Sequence, residues 1–320
     1  MTAPDTTAIG NAALQALRPD PSWFDWRPAR IVFALAGDWA LIALAFVAAV
    51  HWPHPLVYLG AAVLIARSQL ALAVLMHEAA HGLFWRGKRA NDALAQVFAA
   101  GPLYLSLVTY RAGHLQHHLA PMKIDDPVAV VFGVGDYPIP RWRLALRLLG
   151  DVCGVAYCIS AFRIARGDYR EVLRAPRKSA GLKWFEAGSM LATNGALFGA
   201  LAWAGHPWFY LGLWILPAVT LLTFMGRMRA IMEHAGLPED TDQSRNARTI
   251  VRPSWQTFLF GPHAIHYHIE HHLYARVPFY RLGAVHRALA AQGLLPTANL
   301  YRGYGGVLRD VSYSGRDARG

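Results

Sequence analysis

Two apolar runs open the chain, at 31–50 and 55–76, and two more stand at 186–203 and 208–225. At 1.5 Å per residue, each is about long enough to cross a hydrocarbon core of about 30 Å as a helix. The connectors inside each pair, HWPH at 51–54 and AGHP at 204–207, hold no Lys or Arg. The opposite flanks carry Arg27, Arg30, Arg86, Lys88, Arg89, Arg177, Lys178, Lys183, Arg227 and Arg229. By the positive-inside rule this asymmetry predicts four transmembrane helices, with both termini and every long loop on the cytoplasmic side.

Two further apolar stretches are flawed as crossings. The run 93–109 is broken by Gly101-Pro102, and 144–162 is interrupted by Arg147 and Asp151. An extra crossing at either place would also split the histidines discussed below between two sides of the bilayer, so both are expected to be interfacial or re-entrant. Inside the first two runs, Asp38 and Arg67 fall at matching depths, about 10 and 12 Å from the cytoplasmic boundary. Charges at that depth need a partner or water, so the two are expected to face each other or a shared polar pocket.

Composition agrees with a membrane protein. Of 320 residues, 54% are hydrophobic and only 16% charged, against about 25% in soluble domains, and the mean hydropathy is +0.23. The net charge of +11 lies mostly on one face, where anionic lipid or an acidic electron-donor protein would meet it. Nothing resembles a basic recognition helix or a stacking platform for nucleic acid. The two cysteines, Cys153 and Cys158, form neither a disulfide framework nor a thiolate metal site and are expected to be packed thiols. The first fifteen residues lack the form of a cleaved signal peptide, and Trp23, Phe24 and Trp26 are expected to anchor a segment at headgroup level. Without repeats or linkers, the chain is expected to be one membrane domain, with an interfacial segment 1–30, a core 31–290 and a tail 291–320.

Histidine carries the chemistry. HEAAH places His77 and His81 four apart, on one face of a helix at the end of the second run. HLQHH holds His114, His117 and His118, and HIEHH repeats that spacing with His268, His271 and His272, each compatible with one helical turn converging on a metal. With 15 histidines in the chain, one such HxxHH should arise by chance about 0.03 times, and two far less often. HEAAH alone also fits the zinc-protease pattern HExxH, but a catalytic zinc needs about three protein ligands and would leave the other clusters without purpose. Eight imidazoles suit two metal ions better. A metal transporter would hold its ligands near midbilayer, not at the helix ends.

The pattern HEAAH, then HLQHH followed by DDP, then HYHIEHH followed by VPFYRL, resembles the membrane fatty acid desaturase and hydroxylase superfamily over roughly residues 30 to 290. The resemblance implies an all-α integral membrane fold, with four transmembrane helices under a cytoplasmic helical cap holding a dimetal site. It implies two iron ions, dioxygen as co-substrate, and as ligands the eight box histidines together with His234 in RAIMEHAG, which matches an additional family ligand. Many relatives have asparagine where His266 stands, and some animal members carry asparagine at the position of Ala230. His266 is then a candidate outer-shell residue, with Glu78, Asp125, Asp126, Glu233 and Glu270 as acceptors for the imidazole N–H groups that face away from metal. At least one of Asp125 and Asp126 is expected to serve a turn before Pro127 instead. His263 is expected to be a loop or capping residue and His286 a surface or packing residue, while His51, His54 and His206 lie on the outer side.

The function so implied is oxygen-dependent desaturation of a fatty-acyl chain or acyl lipid, with hydroxylation or ketolation of a carotenoid, sphingolipid or other lipid as the alternative. No fused electron-transfer domain is apparent, so a separate ferredoxin or cytochrome with its reductase is expected, with Arg86, Lys88, Arg89, Arg141 and Arg143 as candidate docking residues. Small residues at Gly60, Ala61, Ala62, Gly195, Ala196 and Gly199 either line an acyl tunnel or let helices pack closely. The expected location is a membrane, a bacterial inner membrane, with the histidines cytoplasmic.

Overall fold

A computed structural model describes residues 18–169, 172 and 176–314. The signal-peptide reading, most of the interfacial segment and the last residues of the tail fall on 1–17 and 315–320, outside the described residues. Helices dominate. Helix α1 spans Pro28–His51 and α2 spans Pro55–Ala80. Proline at the first turn of each costs no hydrogen bond there, and His54 caps α2 by accepting from the Leu56 amide. Further labelled elements are α3 (Leu107–Leu119), α4 (Ala180–Trp203), α5 (Leu221–His234), α6 (His268–Leu273) and α7 (Phe279–Ala291). Among the described residues, strands are confined to two parallel pairs of two residues each, Ile139–Pro140 with Ser312–Tyr313 and Thr249–Ile250 with Leu300–Tyr301.

By length and composition, α1, α2 and the run Tyr210–His234 can cross a membrane. The last of these continues nine residues beyond the end expected at 225, so that His234 is its final residue. Helix α4 occupies the expected third run and is 24 residues long, yet its buried Glu186, Ser189 and Asn194 leave it less apolar than the other three. The two flawed runs are sharply bent, by 93° between Lys88–Leu103 and α3 and by 79° between Arg141–Val152 and Val155–Arg166. Gln96 stabilises the first bend by donating to Leu105 O and accepting from Leu107 N, both at 3.0 Å. Asp151, a flaw in an apolar crossing, is fully buried against the Arg227 guanidinium of α5.

Helix α2 is the spine. Two thirds of its apolar window, 67%, is buried, against 28% for each of the other two apolar helices. On one side Ala61, Ile65 and Leu72 pack with Ile42, Ala45, Phe46 and Ala49 of α1 and with Leu201, Leu213 and Trp214. Nearer its end, Leu75, Met76 and Ala79 join Ile31, Phe84, Ala95, Ala99 and Leu107. Polar side chains fasten the packing: Gln69 donates to Trp214 O at 2.9 Å, and Asn194 donates to Gly101 O while accepting from Tyr210 and Trp214.

Two local expectations are corrected. Trp23 is 6% exposed and sits edge-on to Tyr274, in a core cluster with Ile269, Val277 and Leu282, so it anchors the protein interior and not a headgroup layer. Cys153 and Cys158 are exposed, Cys158 on the helix Val155–Arg166, none of whose residues is buried.

Asp38 and Arg67 meet as the depth argument requires. The Arg67 guanidinium donates to Asp38 at 2.6 Å, and both side chains are almost wholly buried. Removing one partner strands the other in a low-dielectric interior, at a cost of about 3–5 kcal/mol, whereas replacing both by apolar residues is far cheaper. Asp38→Leu is therefore expected to destabilise the full-length chain by about that amount, and the Asp38→Leu/Arg67→Leu double variant to recover at least half of it. Equilibrium unfolding in detergent checks this; a single variant within about 1 kcal/mol of the parent would show that the pair is not energetically coupled.

Candidate metal centre

The end of α2 supplies the first imidazoles. His77 lies in its last turn and His81 is its C-cap, after which Gly82 (φ 77°) turns the chain away in the left-handed conformation that glycine adopts without strain. Helix α3, capped by Ser106 accepting from the Thr109 amide, supplies His114, His117 and His118. His234 ends α5, and the short α6 supplies His268, His271 and His272.

These nine histidines gather into two groups: His77, His81, His114, His118 and His271 in one, and His117, His234, His268 and His272 in the other, each with its ligand atoms within 4.8 Å of one another. The expectation that each HxxHH converges on one metal is thereby corrected. Residues i and i+4 of a helix lie about 40° apart around its axis, while i+3 lies about 100° from i+4. In HLQHH the i and i+4 imidazoles, His114 and His118, join the first group and His117 crosses to the second. In HIEHH the assignment inverts: His268 and His272 join the second group and His271 crosses to the first.

Ring nitrogens face each other across both groups. Nε2 of His271 lies 3.0 Å from Nε2 of both His77 and His118, and His81 Nε2 lies 2.8 Å from His114 Nε2. In the second group, His268 Nε2 lies 2.9 Å from His234 Nε2 and 3.2 Å from His272 Nε2. Nitrogens bonded to one first-row metal at about 2.1 Å are about 3 Å apart when adjacent in its coordination shell. The tautomers agree with that use. His117 donates from Nδ1 to Asp126 at 2.9 Å and His234 from Nδ1 to Asn246 O at 2.8 Å, which leaves Nε2 of each with its lone pair. Nδ1 of His77, His268, His271 and His272 has no hydrogen-bond partner. Clustered lone pairs in a buried site repel unless a cation lies among them, so the donor set fits metal ions.

Burial keeps the imidazoles neutral. Desolvation, with neighbouring imidazoles second, pushes His268, His271 and His272 well below their ordinary value, and desolvation brings His81 down to about 4. Neutral imidazole is the metal-binding form.

Around the groups, the expected acceptors divide. Asp126 is fully buried and does two jobs, accepting from His117 and from the Met122 and Val128 amides. Asp125 is the turn residue, its carbonyl accepting from Gln116. Glu78 stands 3.8 Å from His77 Nδ1 while accepting from the Phe279 amide at 3.1 Å, and Glu233 stands 3.5 Å from His268 Nδ1 while held by Arg229 at 2.6 Å. Glu270 faces away from the imidazoles it was expected to support: Thr249 donates to one oxygen at 2.6 Å, and His286 Nδ1 lies 2.5 Å from the other. Of the two readings of His286, surface or packing, the second holds: it packs against Tyr267 and partners Glu270. His266 hydrogen-bonds through Nδ1 to Ile250 O at 2.7 Å, a backbone contact and not a bond to any of the nine. His263 and Ala264, both in the left-handed region (φ 54° and 56°), form the turn before α6, where His263 Nε2 meets Asp38 at 2.7 Å. That contact, between residues 225 apart, has no signal in local sequence.

A model of the fatty acid desaturase family matches residues 53–304. Dihydrorhizobitoxine desaturase of Bradyrhizobium elkanii is similar, 26% identical over 288 residues, which cover 85% of this chain and 76% of that protein. The matched segment encloses all nine gathered histidines and most of the described structure, and the chain belongs to the fatty acid desaturase family.

Proposed function

We propose that the chain is an oxygen-dependent diiron oxidoreductase that forms a double bond in an acyl chain held in the membrane. The observation that carries this reading is the partition of nine imidazoles, eight of them buried and that of His81 half-buried, into groups of five and four, two donor sets for two ions. Imidazole suits iron among the first-row metals, and iron when bound supplies the dioxygen chemistry that side chains lack. Over the whole reaction, two hydrogens leave a CH2–CH2 unit, and dioxygen with two donor electrons and two protons becomes two waters.

The chain's own residues hold and shield this site. Asp126 fixes the His117 tautomer and the Asn246 carbonyl fixes that of His234, so that both present Nε2 inward. His77 and His271 are 0% exposed, which keeps bulk water from the face they line. Glu78 argues against a zinc protease. Its carboxylate stands on the Nδ1 side of His77 and accepts from backbone, behind the imidazole and not beside the Nε2 atoms where a water would be activated.

We place α1, α2, α4 and the run Tyr210–His234 as four crossings, with the histidines at the cytoplasmic ends of a bacterial inner membrane protein; the long apolar helices and the positive flanks support this. The related enzyme's name gives dihydrorhizobitoxine as what it desaturates, so family membership leaves the substrate class open between acyl lipids and other molecules. Electrons come from a separate ferredoxin or cytochrome with its reductase, for which the basic face offers a complementary surface. Within that face, Arg86 lies over Trp26, Arg143 over Trp142, and Lys88 pairs with Asp92.

Metal analysis with Mössbauer spectroscopy on the purified full-length chain is expected to find about two irons per chain; a single zinc would overturn the proposal. Cells expressing the gene should gain an unsaturated lipid, and His271→Ala, which removes the imidazole facing both His77 and His118, should abolish it. A product surviving that substitution would remove the metal site from the mechanism.

Asp126→Ala is expected to lower iron affinity about 10–100-fold, measured by chelator competition. The pH dependence has a definite sign. His81 is near 4 in the folded chain against 6.5 as its ordinary value, so the unfolded chain binds more protons between those values. Stability of the metal-stripped chain should be complete above about 6.5 and decline as pH falls toward about 4; a flat unfolding midpoint across that window would show that the imidazoles are hydrated.

A further inference from the structure

We infer that the Asp38–His263 contact is a positioning device for the third histidine cluster, and that His263 is a positioning residue of the metal centre. This rests on reading the two imidazole groups as metal sites.

Asp38 on α1 is 2% exposed and takes two partners on its two oxygens, the Arg67 guanidinium at 2.6 Å and His263 Nε2 at 2.7 Å. Arg67 in turn donates to Phe258 O at 3.2 Å and lies 4.5 Å from the centre of the Phe258 ring. One buried charge cluster therefore grips the turn at 261–266 at two points, through Phe258 before it and His263 within it. That turn needs an external hold, because His263 and Ala264 are consecutive non-glycine residues in the left-handed region, a conformation that persists only where surrounding contacts impose it.

The turn delivers α6. Helix α6 begins at His268, five residues after His263, and it serves both groups at once: His271 joins the imidazoles of α2 and α3, and His268 and His272 join His117 and His234. Arg67 lies on the same helix as His77 and His81, ten residues and about 15 Å before His77. The cluster thus sets α6 against the helix carrying HEAAH. The same imidazole makes a second contact: the His263 ring is 5.1 Å from Phe279, whose amide donates to Glu78 beside His77. Losing the His263 bond frees the turn at its strained residue while the remainder of α6 stays packed through Ile269 in its core cluster.

The test compares the iron-loaded full-length chain with its His263→Leu and His263→Gln variants. Iron retained per chain under chelator competition reports positioning, and the melting midpoint after metal removal reports a merely structural role. His263→Leu is expected to weaken iron retention about 10–100-fold with the metal-free midpoint within about 2 °C of the parent. His263→Gln, whose amide N–H can reach Asp38, should return to within about threefold of the parent. Unchanged retention in His263→Leu would overturn the inference, as would a large loss of melting midpoint or failure to fold, or a glutamine variant no better than leucine. A parent chain that holds no metal would instead remove the proposed function, and the inference with it.

Discussion

Nine imidazoles brought together in a largely buried interior are the constraint on which the structure turns. Ring nitrogens about 3 Å apart repel when both present lone pairs, and a cation lying between them removes that repulsion. The surrounding elements are arranged to reach this point and stop. Helix α2 is capped by His81 with a left-handed glycine immediately after it, α5 ends on His234, and half of the six residues of α6 are gathered histidines. Precision comes from where helices end, which caps and glycines set locally, and from how the ends are held together, which only tertiary contacts can set.

Those contacts run through α2. It is the most buried of the apolar helices, and its polar residues are spent on neighbours: Arg67 on Asp38 and Phe258, Gln69 on Trp214, Glu78 on Phe279. Charged groups inside an apolar bundle are costly in isolation, so they are found paired and at element crossings, where a mispaired arrangement would leave a buried charge exposed to hydrocarbon. Such pairs add little net stability over apolar packing of the same volume, while losing one partner alone is costly.

Much of this was legible in the sequence, for a physical reason. A histidine box is a local device whose spacing is fixed by the helix repeat, so the eight box histidines could be named from their intervals, His234 only from the family resemblance, and a charge pair at matched depth follows from helix rise alone. The partition of each HxxHH between two groups was not legible, since it depends on how α3 and α6 face each other. The same limit explains Glu270. Its place within HIEHH suggests support for its neighbours, but on a helix of six residues the i+2 side chain points away from i and i+3, toward Thr249 and His286. His263 sits in the same histidine-rich stretch and contributes through an acid 225 residues away, a distance across which local pattern carries no information. The packing of Trp23 beneath Tyr274 fails for a like reason: an aromatic near a membrane run resembles an interfacial anchor until its partner is known.

The crossing of His117 and His271 has a consequence for how the two groups can vary. Had each box served one group, either could shift or lose a ligand without disturbing the other. With one imidazole of α3 in the second group and one of α6 in the first, any rotation of either helix moves imidazoles of both groups together. The two groups are therefore mechanically coupled: Asp126 holds the crossing imidazole of α3 directly, and on the inference drawn above the turn before α6 would set that of the other helix through the backbone. The chemistry of a substrate chain is sensitive to displacements near 1 Å. Displacements of that size are set by how the supporting contacts hold α3 and α6, which the spacing within the histidine boxes does not encode.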